Sequence, residues 1–213
     1  MSMDITWLGH SCFLIKGKEK TIITDPYHPD LGYRLGEREA DIVTVSHFHP
    51  GHNYTAGVTN EPNRIESPGE YEIGGTFITG VATFHDDGKG SLRGKNTIYI
   101  IEIDGITLCH LGDLGHPLNP NLIEEIGDID ILFLPVGEVS TMPIDTAVEI
   151  VRQLEPNIVI PMHYKTEAFA GDLSPVDKFL DKMRIRDLET KPKLSITSSS
   201  LPSGTQTIVL NYP

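Results

Sequence analysis

The sequence is short of cysteine, of positive charge and of long apolar runs, and each shortage removes a class of protein. Its two cysteines, Cys12 and Cys109, lie inside apolar runs and outside any Cys-x-x-Cys or metal-like spacing. They read as reduced, buried thiols, not as a disulfide framework or a thiolate metal site. Lys and Arg number 17 against 30 Asp and Glu, for a net charge of −13 over 213 residues. Such a surface repels phosphate backbones, so nucleic acid is not expected as a partner. No run approaches the ~20 apolar residues that cross a bilayer, so no membrane partner is expected either. The opening MSMDITWLGH has neither a basic n-region nor an apolar h-region, and a cytoplasmic protein is expected. Gly-x-Ser-x-Gly and phosphate-loop patterns are absent. The glycine-rich segment 88–96, expected to be a mobile loop, lacks the strand before it and the helix after it that a phosphate loop needs.

What is there begins with short strands. DITWL, CFLIK, TIITD and DIVTVS are apolar runs rich in β-formers, and GKEK between the second and third predicts a turn. TFITGVATF follows, then TIYIIEI and ITLCHL, split by Asp104-Gly105, a two-residue hairpin signal. From Asn119 onward strands and helices alternate. Asn119-Pro120 predicts a helix start and Gly127 its end. DILFLP and NIVIPMH read as buried strands. Between them, Ala147, Val148, Val151 and Leu154 mark one face of a helix. Ser174-Pro175 predicts a cap for a further helix, with Asp177 at the capping-box position. KLSIT and QTIVLN read as closing strands. Strand-rich segments followed by strand–helix alternation predict an α/β fold of two packed sheets with helices outside, in one domain.

Histidine is the residue with an unusual arrangement. SHFHPGHN places three in six positions directly after an apolar strand. In an extended segment His47 and His49 point the same way. Gly51 lets the chain turn so that His52 can join them. Neutral imidazoles offering lone pairs from one small volume suit zinc and related ions. His85, Asp113 and His163 also close apolar strand runs, where they can meet the first three at one rim.

The order His-x-His, His, a later His, a Gly-Asp pair and a final Met-His resembles the metallo-β-lactamase superfamily. TWLGHSCFLI followed by TDP resembles the branch that holds sugar-acid-phosphate lactonases and phospholipid-cleaving enzymes. The likeness runs from WLGHS to PMHYKT. It implies one domain over residues 1–213, a four-layer αββα sandwich with a metal site on its upper edge. It implies one or two divalent ions, zinc first, with manganese, nickel or iron as alternatives. His47, His49 and His85 would hold the first ion, His52 and His163 the second, and Asp113 would bridge them. The family pattern reads His-x-His-x-Asp-His, and here Gly51 stands at the Asp position. Six of seven ligands are therefore expected, with Asp86, Asp87 or Glu70 as candidates to replace the seventh. His10 in LGHS reads as structural or as a neighbour of a ligand, and Asp25 either orients a ligand histidine or starts a turn.

Tyr164 and Lys165 follow His163 and are candidate catalytic residues. Lys165 could hold a substrate carboxylate or phosphate, and Tyr164 could donate to a developing oxyanion; ordinary loop roles are the alternative. The expected function is a metal-dependent hydrolase that uses a metal-activated hydroxide on an ester, lactone or phosphodiester of a small anionic substrate. The competing expectation is a non-catalytic binding or sensing module whose second metal site has degenerated at Gly51.

Overall fold

Most of the apolar runs fold as strands close to where the sequence places them, whereas of QTIVLN only Gln206–Thr207 is strand. The computed structural model describes residues 2–186 and 188–213. In chain order the strands are β1 (Met3–Gly9), β2 (Cys12–Lys16), β3 (Thr21–Thr24), β4 (Ile42–Thr44), β5 (Asn63–Ile65), β6 (Gly69–Ile73), β7 (Thr76–Phe84), β8 (Lys95–Ile103), β9 (Ile106–His110), β10 (Ile131–Pro135), β11 (Ile158–Met162), β12 (Leu194–Ile196) and β13 (Gln206–Thr207). Helices α1 (Pro120–Ile126), α2 (Ile144–Leu154) and α3 (Asp177–Lys182) all come from the second half. One mixed sheet has the order β12-β1-β2-β3-β4-β5 and the other β13-β11-β10-β9-β8-β7-β6, which is the two-sheet α/β sandwich expected.

Alternation along the strands assigns the layers. Ile5, Trp7, Phe13, Ile15, Ile22 and Ile42 point into the main core, where they meet Phe133, Ile101 and Leu108 of the other sheet. Their neighbours Leu8, Cys12, Leu14, Ile23 and Val43 face outward into a second cluster with Tyr27, Tyr33, Leu35 and Val58. That outer face is covered by the irregular segment 26–62 and two short 3-10 turns rather than by an α-helix. β10 and β11 lie inside their sheet and are buried along their whole length, as strands covered on both faces must be.

Local chemistry explains several boundaries. Asp104 and Gly105 both take positive φ, 54° and 72°, and pair Ile103 with Ile106 across a two-residue hairpin. Asn119 accepts the Leu122 N–H and Gly127 ends α1, as predicted. The Ser174 cap is a correction. Its hydroxyl donates to Glu138 Oε2, and α3 starts at Asp177 with no side-chain cap. Among the described residues no helix is long and apolar enough to cross a membrane.

Strand direction places the site. β1 is antiparallel to β2, β2 to β3, and β3 is parallel to β4, so β1, β3 and β4 run the same way. In the other sheet β7, β9, β10 and β11 likewise share one direction. The residues that follow the C-terminal ends of these strands include His10, Asp25, Ser46, His85, Asp113 and His163.

Candidate metal centre

The side chains following these strand ends gather into a cluster with two lobes. His47, His49 and His85 form one group and His10, His52 and His163 another; within each, one potential ligand atom per residue lies within 4.8 Å of the others. Asp113 joins them. Its Oδ2 lies 3.1 Å from His163 Nε2, 3.2 Å from His85 Nε2, 3.3 Å from His52 Nε2 and 3.9 Å from His47 Nε2. All these residues are buried except His49, which opens to solvent.

Several atoms here lack any partner among the described residues. Nδ1 of His10, His85 and His163, Nε2 of His47 and Oδ1 of Asp113 are buried without a hydrogen bond. Buried polar atoms are ordinarily paired, and orphans in one cluster call for an unrecorded partner. Imidazole lone pairs grouped around a carboxylate fit a divalent cation, zinc among them. The backbone is held accordingly. His10, Asp25 and His163 take left-handed φ values of 52°, 39° and 53°. Each costs roughly 1–3 kcal/mol for a non-glycine residue, and such strain gathers at functional sites.

Asp25 sets ring orientations from behind. It is fully buried and accepts from Ser46 N at 2.7 Å, Ser46 Oγ at 2.6 Å and His52 Nδ1 at 2.8 Å. His47 Nδ1 in turn donates to Ser46 Oγ at 2.9 Å. One carboxylate thus holds a proton on Nδ1 of both histidines, directly or through a hydroxyl, and frees their Nε2 lone pairs. Of the two roles open to Asp25 in the sequence, these contacts match the orienting one. His110 supports the β9 end, its Nε2–H donating to Ser11 O while its Nδ1 accepts from Gly112 N. Asn96 Oδ1 accepts the Asp113 N–H at 2.9 Å, and its amide donates to Thr83 Oγ1 and Leu111 O.

The two lobes differ electrostatically. Burial opposes charge on His52, but Asp113 and then Asp25 outweigh it and raise its pKa to about 10. Burial and the neighbouring His52 lower His47 to about 2. Burial likewise takes His10 well below its ordinary value. Asp113 is held well below the carboxylate range, because His163 and His52 overcome its burial.

The other candidates lie differently. Lys165 is exposed, and its Nζ donates to Phe169 O and Gly171 O, both at 2.7 Å. Tyr164 is buried with its ring 4.9 Å from Trp7. Neither lines the open cleft of about 440 Å³ over the histidines. Asp86 accepts the N–H groups of Gly90, Leu92 and Arg93, so it organises segment 88–94 instead of reaching the second lobe. Glu70 is exposed on β6 at the sheet edge. At the Asp position of the histidine motif the structure puts a ring: a Cβ built on Gly51 would lie 2.8 Å from His10 Nε2. The sequence reads His10 as structural or as a neighbour of a ligand, and the structure groups its ring with His52 and His163. Sequence reasoning passed over Arg93, which lines the cleft.

Known proteins resemble this chain in sequence and in fold. The family model for the β-lactamase superfamily domain matches residues 4–163. A UPF0173 metal-dependent hydrolase of Archaeoglobus fulgidus is 33% identical, with 77% of this chain and 84% of that protein covered. A crystal structure from Thermotoga maritima, described as a candidate zinc-dependent hydrolase of the metallo-β-lactamase superfamily, superposes with a TM-score of 0.81 at 39% identity, over 98% of both chains. Igni18, a metallo hydrolase of Ignicoccus hospitalis, shares the fold at 22% identity and a TM-score of 0.66, covering 92% of this chain and 98% of that one.

Proposed function

Because the chain belongs to the β-lactamase superfamily, we propose that it is a metal-dependent hydrolase that cleaves an ester, lactone or phosphodiester bond of a small anionic substrate. The observation that carries this reading is the convergence of four imidazole Nε2 atoms on Asp113 Oδ2 at 3.1–3.9 Å. His47, His49 and His85 would hold one divalent ion and His52 and His163 a second, with Asp113 available to both. Zinc is the first choice, ahead of manganese, nickel or iron. When bound, such an ion supplies a water acidic enough to ionise near neutral pH and a positive charge beside the substrate oxygen.

The protein's own groups do the rest. Asp25 and Ser46 keep His47 and His52 in the tautomer that presents Nε2. His49 marks the solvent-facing side, from which substrate approaches. A neighbouring groove of about 590 Å³ is lined by His47, His49, Arg93 and Lys95. Two cations against one carboxylate, Glu66, in that groove, on a chain of net charge −13, favour an anionic substrate. Lys165 acts as a positioning residue, holding the loop whose Phe169 ring packs 5.3 Å from His10. Tyr164 acts through its packing on Trp7.

The test is an assay of the purified protein, reconstituted with each metal in turn, on generic esters, lactones and bis(p-nitrophenyl) phosphate. Turnover on at least one class, removed by a chelator and restored by metal, is expected. Metal bound in full with no turnover on any class would instead favour a non-catalytic binding or sensing module.

A further inference from the structure

We propose that His10 is itself a ligand of the second metal ion, taking the place of the carboxylate that Gly51 has lost. The proposal rests on the metal-hydrolase reading above and adds one residue to its ligand set. Three observations carry it. His10 shares a potential ligand group with His52 and His163, all three buried. Its ring centroid lies 4.2 Å from that of His163 and 5.0 Å from that of His52. Its Nδ1 is buried with no hydrogen-bond partner among the described residues, as expected of a ring not placed to serve a structural bond.

A fourth observation concerns Gly51. Many glycines of this chain take left-handed φ, but Gly51 is not among them. Its backbone therefore does not require glycine; its surroundings do. A Cβ there would lie 2.8 Å from His10 Nε2 and 3.1 Å from His10 Cδ2. The His10 ring lies in the space into which an aspartate at 51 would project, so one of the two side chains must shift to admit the other. The backbone that carries the ring is held in place. The His10 carbonyl accepts from Trp7 Nε1 and from His163 N, both at 2.9 Å, which ties the β1–β2 corner to the end of β11. Among the described residues the other buried carboxylates are engaged elsewhere, Asp25 by Ser46 and His52 and Asp86 by its own loop, and Asp172, which also lines the cleft, is exposed.

Exchanging carboxylate for imidazole changes the chemistry of the lobe. The second ion would be held by His10, His52 and His163, with Asp113 as the single anionic ligand of the whole cluster. Less of the ions' charge is neutralised, which favours an anionic substrate and metals that prefer nitrogen donors.

Three proteins test this: wild type, His10→Ala and His10→Ala/Gly51→Asp, each titrated with zinc and analysed for bound metal. Wild type is expected to bind two ions. His10→Ala should bind the second more weakly by well over the roughly 10–100-fold typical of losing an outer hydrogen-bond partner. The double variant, with the carboxylate in the space vacated by the ring, should regain most of that affinity. An unchanged second affinity in His10→Ala, or a double variant no tighter than it, overturns the proposal and leaves the hydrolase reading standing. A wild type that binds no metal overturns both. Should His10→Ala fold poorly, wild type labelled with ¹⁵N-histidine and loaded with ¹¹³Cd gives the answer without substitution. A cadmium coupling on a His10 ring nitrogen is expected, and its absence in protein whose His52 and His163 are coupled overturns the assignment.

Discussion

The two lobes of the histidine cluster share Asp113 and differ in almost everything else. The lobe of His47, His49 and His85 opens to solvent through His49, and two of its members come from one strand-to-loop motif. The lobe of His10, His52 and His163 is buried throughout and draws each side chain from a different strand end. His47 is lowered to about 2 and His52 raised to about 10, so burial wins at one ring and the flanking carboxylates at the other. The difference is one of solvation: the first lobe is reachable from solvent, whereas every change in the buried lobe alters a desolvated site.

The strongest way to break this comparison is to remove what the lobes share. Asp113→Ala should empty both and lower kcat/KM on any substrate found by on the order of 10³-fold or more. Metal analysis and kinetics check this, and one ion kept at full affinity would mean that the carboxylate serves a single lobe.

Single-lobe changes sharpen it. His85→Ala should release the ion of the open lobe and His163→Ala that of the buried lobe, each leaving about one ion per chain, as anomalous scattering would show. Next comes Asp25→Asn. Losing an outer carboxylate should weaken metal binding by roughly 10–100-fold. The loss should fall more on the buried lobe, because His52 bonds Asp25 directly whereas His47 reaches it through Ser46.

Proton release separates the lobes without mutation. A metal must displace the proton held on His52, whereas His47 at about 2 carries none near neutral pH. Metal binding at His52 at pH 8 should therefore release that proton, and affinity there should fall as pH falls below about 10. Calorimetry in buffers of different ionisation enthalpy measures this, and equal proton release at both sites would erase the distinction.

The smallest effect lies outside both lobes. Asp4 accepts from Lys193 Nζ at 2.7 Å and Ser195 Oγ at 2.6 Å, and these contacts lower its pKa. A depressed carboxylate contributes stability above its unfolded pKa and loses it as pH falls through the folded one. Asp4→Asn should cost roughly 0.2–1 kcal/mol at pH 7, as exposed pairs do, and the gap should close below pH 3.8. Metal content should not change.

How far the sequence foretold the two lobes follows the same contrast. His47, His49 and His52 stand in one short motif, so their convergence is legible from spacing alone. His85, Asp113 and His163 are legible because each closes an apolar run. His10 closes one too, but its partner is the gap at Gly51, more than 40 positions away. A missing side chain gives no signal of what fills its space. The same limit applies to the fold. Strands such as Ile131–Pro135 are announced by unbroken apolar runs. The cover over Leu14, Ile23 and Val43 is not, because Tyr27, Tyr33, Leu35 and Val58 follow no helical or strand period. Ser174 misled because its hydroxyl serves Glu138, a residue 36 positions away, rather than the nearby helix.

Crystallography of the zinc-loaded protein with anomalous data at the zinc edge tests the central claim most directly. The account predicts two peaks flanking Asp113, one among His47, His49 and His85 and the other among His10, His52 and His163. A zinc-saturated crystal with no anomalous peak between these side chains would contradict it.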